Sequence, residues 1–395
     1  MDWNESDIDM LSGKKLRPAG ISIPIVKPTL HDFEAVVAEF RQAWESGQVT
    51  TGFFTRAFET EVEAKLGVPH AVMVQSCTAG MMLVWRALGF TGEVVLPAFT
   101  WTATAHAAVW NGLTPVFAEV TPGSYTLDPE AVRRALGPRS AAVMPVNVFG
   151  CPPDYAGFAR LSRETGLPVV YDSAQGLGSR VRTPEGWRYA GGFGIAEVFS
   201  LSPTKVVSAM EGGLITTQDG VLARELRQLR DYGKTADGGD IAGLGLSARV
   251  PEINAIVARH NFARMDELVR RRGELVQVYK EALGVLPGVG YQEIPAGCVS
   301  SGNYFILGID PAAAGRSRDE VYEELGRRGI QAKKYFYPAL HLQEVYREVG
   351  RPYAGRLPVT EAAAARGLAL PLYTHMEETT VRQVAAAVRA VWGQK

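Results

Sequence analysis

The sequence predicts an α/β protein: a large domain with a mostly parallel sheet between helices, and a smaller α+β domain at the C-terminal end. Three observations predict it. Apolar β-rich runs alternate with helical patterns from residue 70 to residue 171. Those runs are nearly unbroken in Val, Ile and Leu, as strands covered on both faces are. The length, 395 residues, exceeds the ~250–300 residues that one core usually spans.

Pro28 and Thr29 precede a helical pattern in which Phe33, Val36, Val37, Phe40 and Trp44 share one face, and Gly47 ends it. Phe58, Val62 and Leu66 mark a second helix, closed by Gly67. Strands over 70–75, 93–97, 116–120, 141–146 and 168–171 then alternate with helices over 78–88, 103–111, 129–136 and 155–165. Two further strands, 198–201 and 214–217, lie close together in the chain, and the Gly-rich 237–248 is a loop. The tract 252–283 reads as one long helix. The domain boundary falls inside it, giving a large domain over 30–255 and a small one over 256–395, with segment 1–29 packing nearby. The small domain carries a strand near 304–309 and helices over 317–328 and 377–392.

Composition removes several classes of function. Apolar content of 46%, charged content of 21% and a formal charge of −1 are ordinary for a globular protein and supply no basic stripe for nucleic acid. Arg133-Arg134 and Arg270-Arg271-Arg272 sit in helical patterns and read as solvated faces. Cys77, Cys151 and Cys298 are far apart, and the six histidines form no HExxH, so no disulfide framework and no metal site is expected. The first twenty residues are acidic and then basic, without the apolar core of a signal peptide, and no run of 18 apolar residues occurs. The expectation is a soluble, cytoplasmic protein.

Three features carry chemistry, because ligands of an open α/β sheet bind at the carboxyl ends of its strands. In Ser76-Cys77-Thr78-Ala79-Gly80 a strand turns into a helix, whose free N–H groups favour an anion. Taken alone, the stretch reads better as an N-cap by Ser76. It has neither the Gly-Lys-Thr/Ser of a P-loop nor GxGxxG. Asp172 follows an apolar strand, where a carboxylate is desolvated and needs a cation or several donors; capping a helix is an equally good account. Lys205 is the only lysine between Lys65 and Lys234 in an arginine-rich chain. A lysine at a strand end can form a Schiff base, whereas an arbitrary lysine is simply solvated. Together, a phosphate cradle, a strand-end carboxylate and a lysine some thirty residues later are what pyridoxal phosphate asks of a protein.

From about residue 22 to residue 392 the chain resembles the DegT family of sugar aminotransferases, which are fold-type I pyridoxal-phosphate enzymes. The matching segments are TTGFFTRAFETEVEAKLG, QSCTAG, VVLPAFTWTATAHAA, TPVFAEVTPGSYTLDP, VNVFGCPPD, VVYDSAQGLGS, GGFGIAEVFSLSPTK and EGGLITT, in that order. The resemblance implies that Lys205 is the Schiff-base lysine and that Asp172 pairs with the pyridinium nitrogen. It implies that Gln175 donates to the ring oxygen and that Trp101 stacks on the ring. Cys77, Thr78 and Ala79 would hold the phosphate through backbone N–H groups, with a hydroxyl from Ser200. Two positions depart from the family pattern. Cys77 stands where Gly is usual, so its Cβ needs a negative φ. Ser247 stands in Gly245-Leu246-Ser247-Ala248-Arg249-Val250 where an Asn usually reaches the neighbouring subunit's phosphate.

The resemblance implies transamination: glutamate converts the cofactor to pyridoxamine phosphate, which aminates a keto sugar. The segment QAKKYFYPALH is similar to that of nucleotide-linked 4-keto-6-deoxysugar aminotransferases, which makes Lys333, Lys334 and Tyr335 candidate substrate contacts; a strand exposing two lysines explains it as well. A keto-cyclitol is the rival acceptor. A non-catalytic regulatory role is the remaining alternative, and it would want a DNA-reading helix or basic face that the sequence lacks. A homodimer with shared active sites is expected.

Overall fold

The computed structural model describes residues 22–394. Most of the expected packing segment 1–29 therefore lies outside the described residues. The strands are β1 (His70–Val74), β2 (Glu93–Pro97), β3 (Thr114–Ala118), β4 (Ser140–Val143), β5 (Val170–Asp172), β6 (Arg180–Thr183), β7 (Gly186–Tyr189), β8 (Ala196–Ser200), β9 (Gly213–Thr217), β10 (Val289–Tyr291), β11 (Cys298–Val299), β12 (Phe305–Ile309) and β13 (Gly367–Leu370).

A four-stranded sheet in the order β1-β9-β8-β5 and a three-stranded sheet in the order β3-β2-β4 form the central layer. The parallel bridges Val143↔Val169 and Val146↔Asp172 join them. Pairings β5–β8, β2–β3 and β2–β4 are parallel; β9 runs antiparallel to both β1 and β8. The layer is thus mostly parallel, with one reversed strand. Its strands are buried on both faces, which is why their apolar runs do not alternate. One face packs on a cluster around Phe58, Phe158, Tyr171 and Phe199, the other on a cluster around Val84, Trp85, Leu96 and Val198.

Helix Cys77–Leu88 lies against β8 and β9 because Gly80 gives it room: a Cβ there would meet Val198, Val74 and Ile215 side chains at 2.9–3.3 Å. A third cluster, with Leu275, Tyr279, Phe305 and Val388, unites the antiparallel sheet β10-β12-β13 with helices Met265–Leu283 and Glu378–Val391. Between it and the central layer sits a fourth, containing Phe99, Phe149, Tyr304 and Phe336.

Three expectations change. The tract 252–283 is two helices, Glu252–Ala263 and Met265–Leu283, separated by Arg264 at φ −100 and ψ 9. The break has no Gly or Pro; the Arg264 guanidinium is instead held by Glu267 at 2.8–2.9 Å and by His31 Nδ1 at 2.6 Å. The hairpin β6–β7 was not foreseen, because its arginines and half-exposed faces blur the period-two pattern. In helix Phe33–Ser46 the apolar face is largely uncovered, with Phe33 75% and Trp44 69% exposed. Among the described residues no helix is long and apolar enough to cross a membrane.

Candidate active site

A cleft of about 340 Å³ opens at the carboxyl ends of β1, β5 and β8. Such a volume suits a cofactor-sized ligand. Cys77, Thr78, Trp101, Asp172, Gln175, Ser200, Lys205 and Tyr335 all line it. Ala79, Ser247, Lys333 and Lys334 do not.

Asp172 is the last residue of β5, and its backbone is pinned on both sides: its N–H donates to Pro145 O and its carbonyl accepts from Asn147 N, each at 3.0 Å. The carboxylate is 4% exposed. Oδ2 accepts from Thr104 Oγ1 at 2.6 Å and Oδ1 accepts from Ala174 N at 3.0 Å. No helix follows, so Asp172 closes a turn and does not cap a helix. Burial raises its pKa; Thr104, the Ala174 amide and the Lys205 charge act against that rise. Two neutral donors leave half of the carboxylate's acceptor sites open, which is room for one cationic donor.

Lys205 ends a turn in which its N–H donates to Ser202 O at 3.0 Å. Helix Glu252–Ala263 fixes the following loop from behind: Asn254 Nδ2 donates to the carbonyls of Ala209 and Glu211, and Asn261 Nδ2 to that of Ser208, at 2.7–2.9 Å. The Lys205 amine itself has no hydrogen bond or ion pair among the described residues.

At the start of helix Cys77–Leu88, Ser76 is the N-cap: its Oγ accepts from Ala79 N at 3.1 Å. The capping account therefore holds, and it commits the Ala79 amide, leaving those of Cys77 and Thr78 without intrahelical acceptors. Cys77 is the first helical residue, so its Cβ is accommodated. Its thiol donates to Val198 O at 3.6 Å, and burial raises its pKa well above the ordinary range. Gln175 Oε1 accepts from Phe149 N, which leaves its Nε2 to donate into the cleft. Trp101 is 58% exposed, its ring 6.3 Å from that of Tyr335, so it belongs to the cleft mouth and not to the core.

Lys333 and Lys334 do not line this chain's own cleft. Lys334 Nζ pairs with Asp319 at 2.9 Å and lies 4.6 Å from the Tyr322 ring centroid, and Lys333 joins Ala369 through a backbone bridge. Contacts with helix Arg318–Arg327 engage Lys334, and of this trio Tyr335 lines the cleft. Ser247 is exposed in the loop beside Asp231. The sequence reading missed the Thr100–Thr104 hydroxyl pair, 2.9 Å apart, behind Asp172, and the cleft residues Ser202, Thr204 and Glu211. The i, i+4 spacing of two hydroxyls in TWTAT was the available signal.

A model of the DegT/DnrJ/EryC1/StrS aminotransferase family matches residues 31–389. The chain belongs to this family. Among solved structures it is similar to DesI, determined in the presence of its TDP-sugar product, at 36% identity over 98% of this chain and 96% of that one, with a TM-score of 0.87. It is also similar to DesV of S. venezuelae at 31% identity, covering 94% and 99% of the two chains, with a TM-score of 0.82. The aminotransferase TlmJ from Streptoalloteichus hindustanus matches at 31% identity, again over 94% and 99%, with a TM-score of 0.85.

As a DegT-family member this chain is a pyridoxal-phosphate-dependent aminotransferase with the family's α/β fold. The cleft fits that cofactor: a buried carboxylate with unused acceptor sites, a lysine amine unpaired among the described residues and the residues of two free helix-start amides all line it. Gly213 keeps this helix start in place, since a Cβ there would collide with the Ser76 and Cys77 backbone. Gly213→Ala is expected to displace the helix start at a cost of roughly 1–3 kcal/mol. Titration of the apoprotein with pyridoxal phosphate should read weaker binding by about tenfold or more.

Beneath the cleft, on the opposite face of the sheet, Glu197 is fully buried. It accepts from Ser173 Oγ at 2.8 Å and Phe193 N at 2.9 Å, and burial raises its pKa to about 7. A raised carboxyl pKa stabilises the fold below the unfolded value of about 4.5. That contribution, about 3 kcal/mol, fades as pH rises and is lost above about 7. Glu197→Gln should lack this dependence. The difference in unfolding free energy between wild type and variant, measured from pH 4.5 to 8, should therefore shift against wild type as pH rises.

Proposed function

We propose that the protein moves an amino group from glutamate to a keto sugar, a TDP-linked 4-keto-6-deoxyhexose, working as a cytoplasmic homodimer. The single observation carrying this reading is the convergence of Lys205 and Asp172 on one cleft, in a chain 36% identical to DesI, whose product is a TDP-sugar. The bound cofactor supplies an electron sink for the carbon being aminated. Lys205 Nζ would hold the cofactor covalently and then carry a proton to and from that carbon. Asp172, supported by Thr104 and Thr100, would keep the pyridine nitrogen protonated. Cys77 and Thr78 amides and the Ser200 hydroxyl would hold the phosphate, Gln175 Nε2 the ring oxygen, and Trp101 the ring face.

Tyr335, Phe336, Met81 and Val146 give the cleft an apolar side suited to a deoxygenated sugar carbon. That Ser247 is exposed and absent from its own chain's cleft supports a role toward a second copy. The division into domains 30–255 and 256–395 belongs to the same reading, with Tyr304, Tyr335 and Phe336 of the second facing the cofactor residues of the first.

One observation favours the keto-cyclitol acceptor: among the described residues Lys205 is the only cation lining the cleft, so a diphosphate has no partner within this chain's own cleft. The deciding experiment incubates cofactor-loaded protein and glutamate with TDP-4-keto-6-deoxyglucose and with a keto-cyclitol. Mass spectrometry then reads which carbonyl becomes an amine. Amination of neither would overturn the assignment.

A further inference from the structure

We propose that Lys27, Arg272 and His375 form an oxyanion-binding site beside the cleft, behind Tyr304, which takes a carboxylate or phosphate group. Arg272 belongs to a run that the sequence assigns to a solvated helix face, and the structure overturns that: its side chain is 0% exposed. Nε donates to Thr374 Oγ1 at 3.1 Å, and Nη1 reaches the carbonyls of Gly302, Asn303 and Leu372 at 3.2–3.5 Å. Nη2 is buried without a partner. Arg272 pairs with no carboxylate among the described residues, although a buried unpaired charge costs several kcal/mol.

Lys27 and His375 flank the same segment, 372–375, that Arg272 binds. Lys27 Nζ stands 5.2 Å from the Tyr373 ring centroid, with no ion pair among the described residues. The His375 ring lies 5.0 Å from that same ring, and its Nδ1 is 3.4 Å from Thr29 Oγ1. Burial, and then the charges of Lys27, Arg272 and His31, lower the His375 pKa, so its ring is offered as a neutral imidazole. The acids nearest His31 are engaged elsewhere: Glu267 binds Arg264 at 2.8 Å, and Asp32 faces His260 at 3.7 Å. Two cations and an imidazole, with an unused buried donor and no counter-ion among the described residues, leave an oxyanion as the missing partner.

The site adjoins the chemistry. Tyr304 lines the cleft next to Asn303, whose carbonyl accepts from Arg272, and Leu268 and Val269, one turn before Arg272, pack on Val206 beside Lys205. Only the source of the oxyanion rests on the proposed function: the amino donor brings a carboxylate, the nucleotide a phosphate. A purely architectural Arg272, tying residues 302–303 to 372–374, would respond to neither.

The test uses the cofactor-loaded full chain at matched ionic strength, so that the cofactor's own phosphate site is filled. Thermal shift and calorimetry follow binding of glutarate, an unreactive dicarboxylate, and of inorganic phosphate. Wild type should bind at least one of them. Lys27→Ala/His375→Ala, which spares the buried arginine, should weaken that binding by about tenfold or more with the cofactor's visible absorption unchanged. A glutarate response identifies a carboxylate and a phosphate response a phosphate; either supports the site. Binding of neither anion, or equal binding by the double variant, overturns it, whether or not amino transfer to a sugar is observed.

Discussion

Lys205→Ala is expected to lose transamination by roughly 10²–10⁴-fold, the share a positioned proton carrier contributes. The loss should be chemical and not structural. Lys205 is half-buried, and its amine has no hydrogen bond or ion pair among the described residues, so its removal leaves no buried group unpaired. Lys205→Arg sharpens the point. Arginine keeps the positive charge beside Asp172 and Cys77 but cannot deprotonate near neutrality, so a residue needed as an amine fails in both variants. A residue needed only as a charge would survive the second. Measurements are the rate of amine formation and borohydride fixation of cofactor to protein, which wild type should show and both variants lack. Turnover of Lys205→Ala at the wild-type rate would remove the basis for the mechanism.

Much of this arrangement is legible in the sequence, for a physical reason. Strands buried on both faces must be apolar along their whole length, so the polar residue that ends or follows one stands out. Asp172 and Lys205 are visible in that way, as is the small-residue turn at Ser76–Gly80. What depends on packing between distant segments is not visible. Successive residues of a helix point about 100° apart, so a triple arginine must send one member in a different direction from the others, and nothing local says that Arg272 faces inward. Lys334 is engaged by Asp319 and Tyr322, and Lys333 is bridged through its backbone to Ala369, contacts which the local segment does not encode. Thr104 is separated from Asp172 by 68 positions, and only the fold joins them. The exposed Phe33 and Trp44 belong to an apolar face that the described residues leave uncovered.

Asp172→Asn should separate function from stability in opposite directions. The carboxylate is nearly fully buried and holds two neutral donors, so in the cofactor-free protein its charge is poorly compensated. Burial raises its pKa above the unfolded value. Its stabilising contribution is therefore complete at acid pH and declines as pH rises through the folded pKa, leaving a net cost at neutrality. An asparagine can still accept from Ala174 N through Oδ1 and donate from Nδ2 to the Thr104 hydroxyl, and it brings no charge. The apo variant is thus expected to unfold at the same temperature as wild type or higher at pH 7.5, with the gap closing toward pH 4. Amino transfer should fall by about 10²–10³-fold, because a neutral amide cannot favour a protonated ring nitrogen. Cofactor binding should also stabilise wild type more than the variant, since a cationic partner relieves only the charged side chain. Thermal unfolding of the apo and loaded proteins across pH, together with the rate, checks all three. An apo variant markedly less stable than wild type, or one that transfers amino groups at full rate, would show Asp172 to be a structural residue.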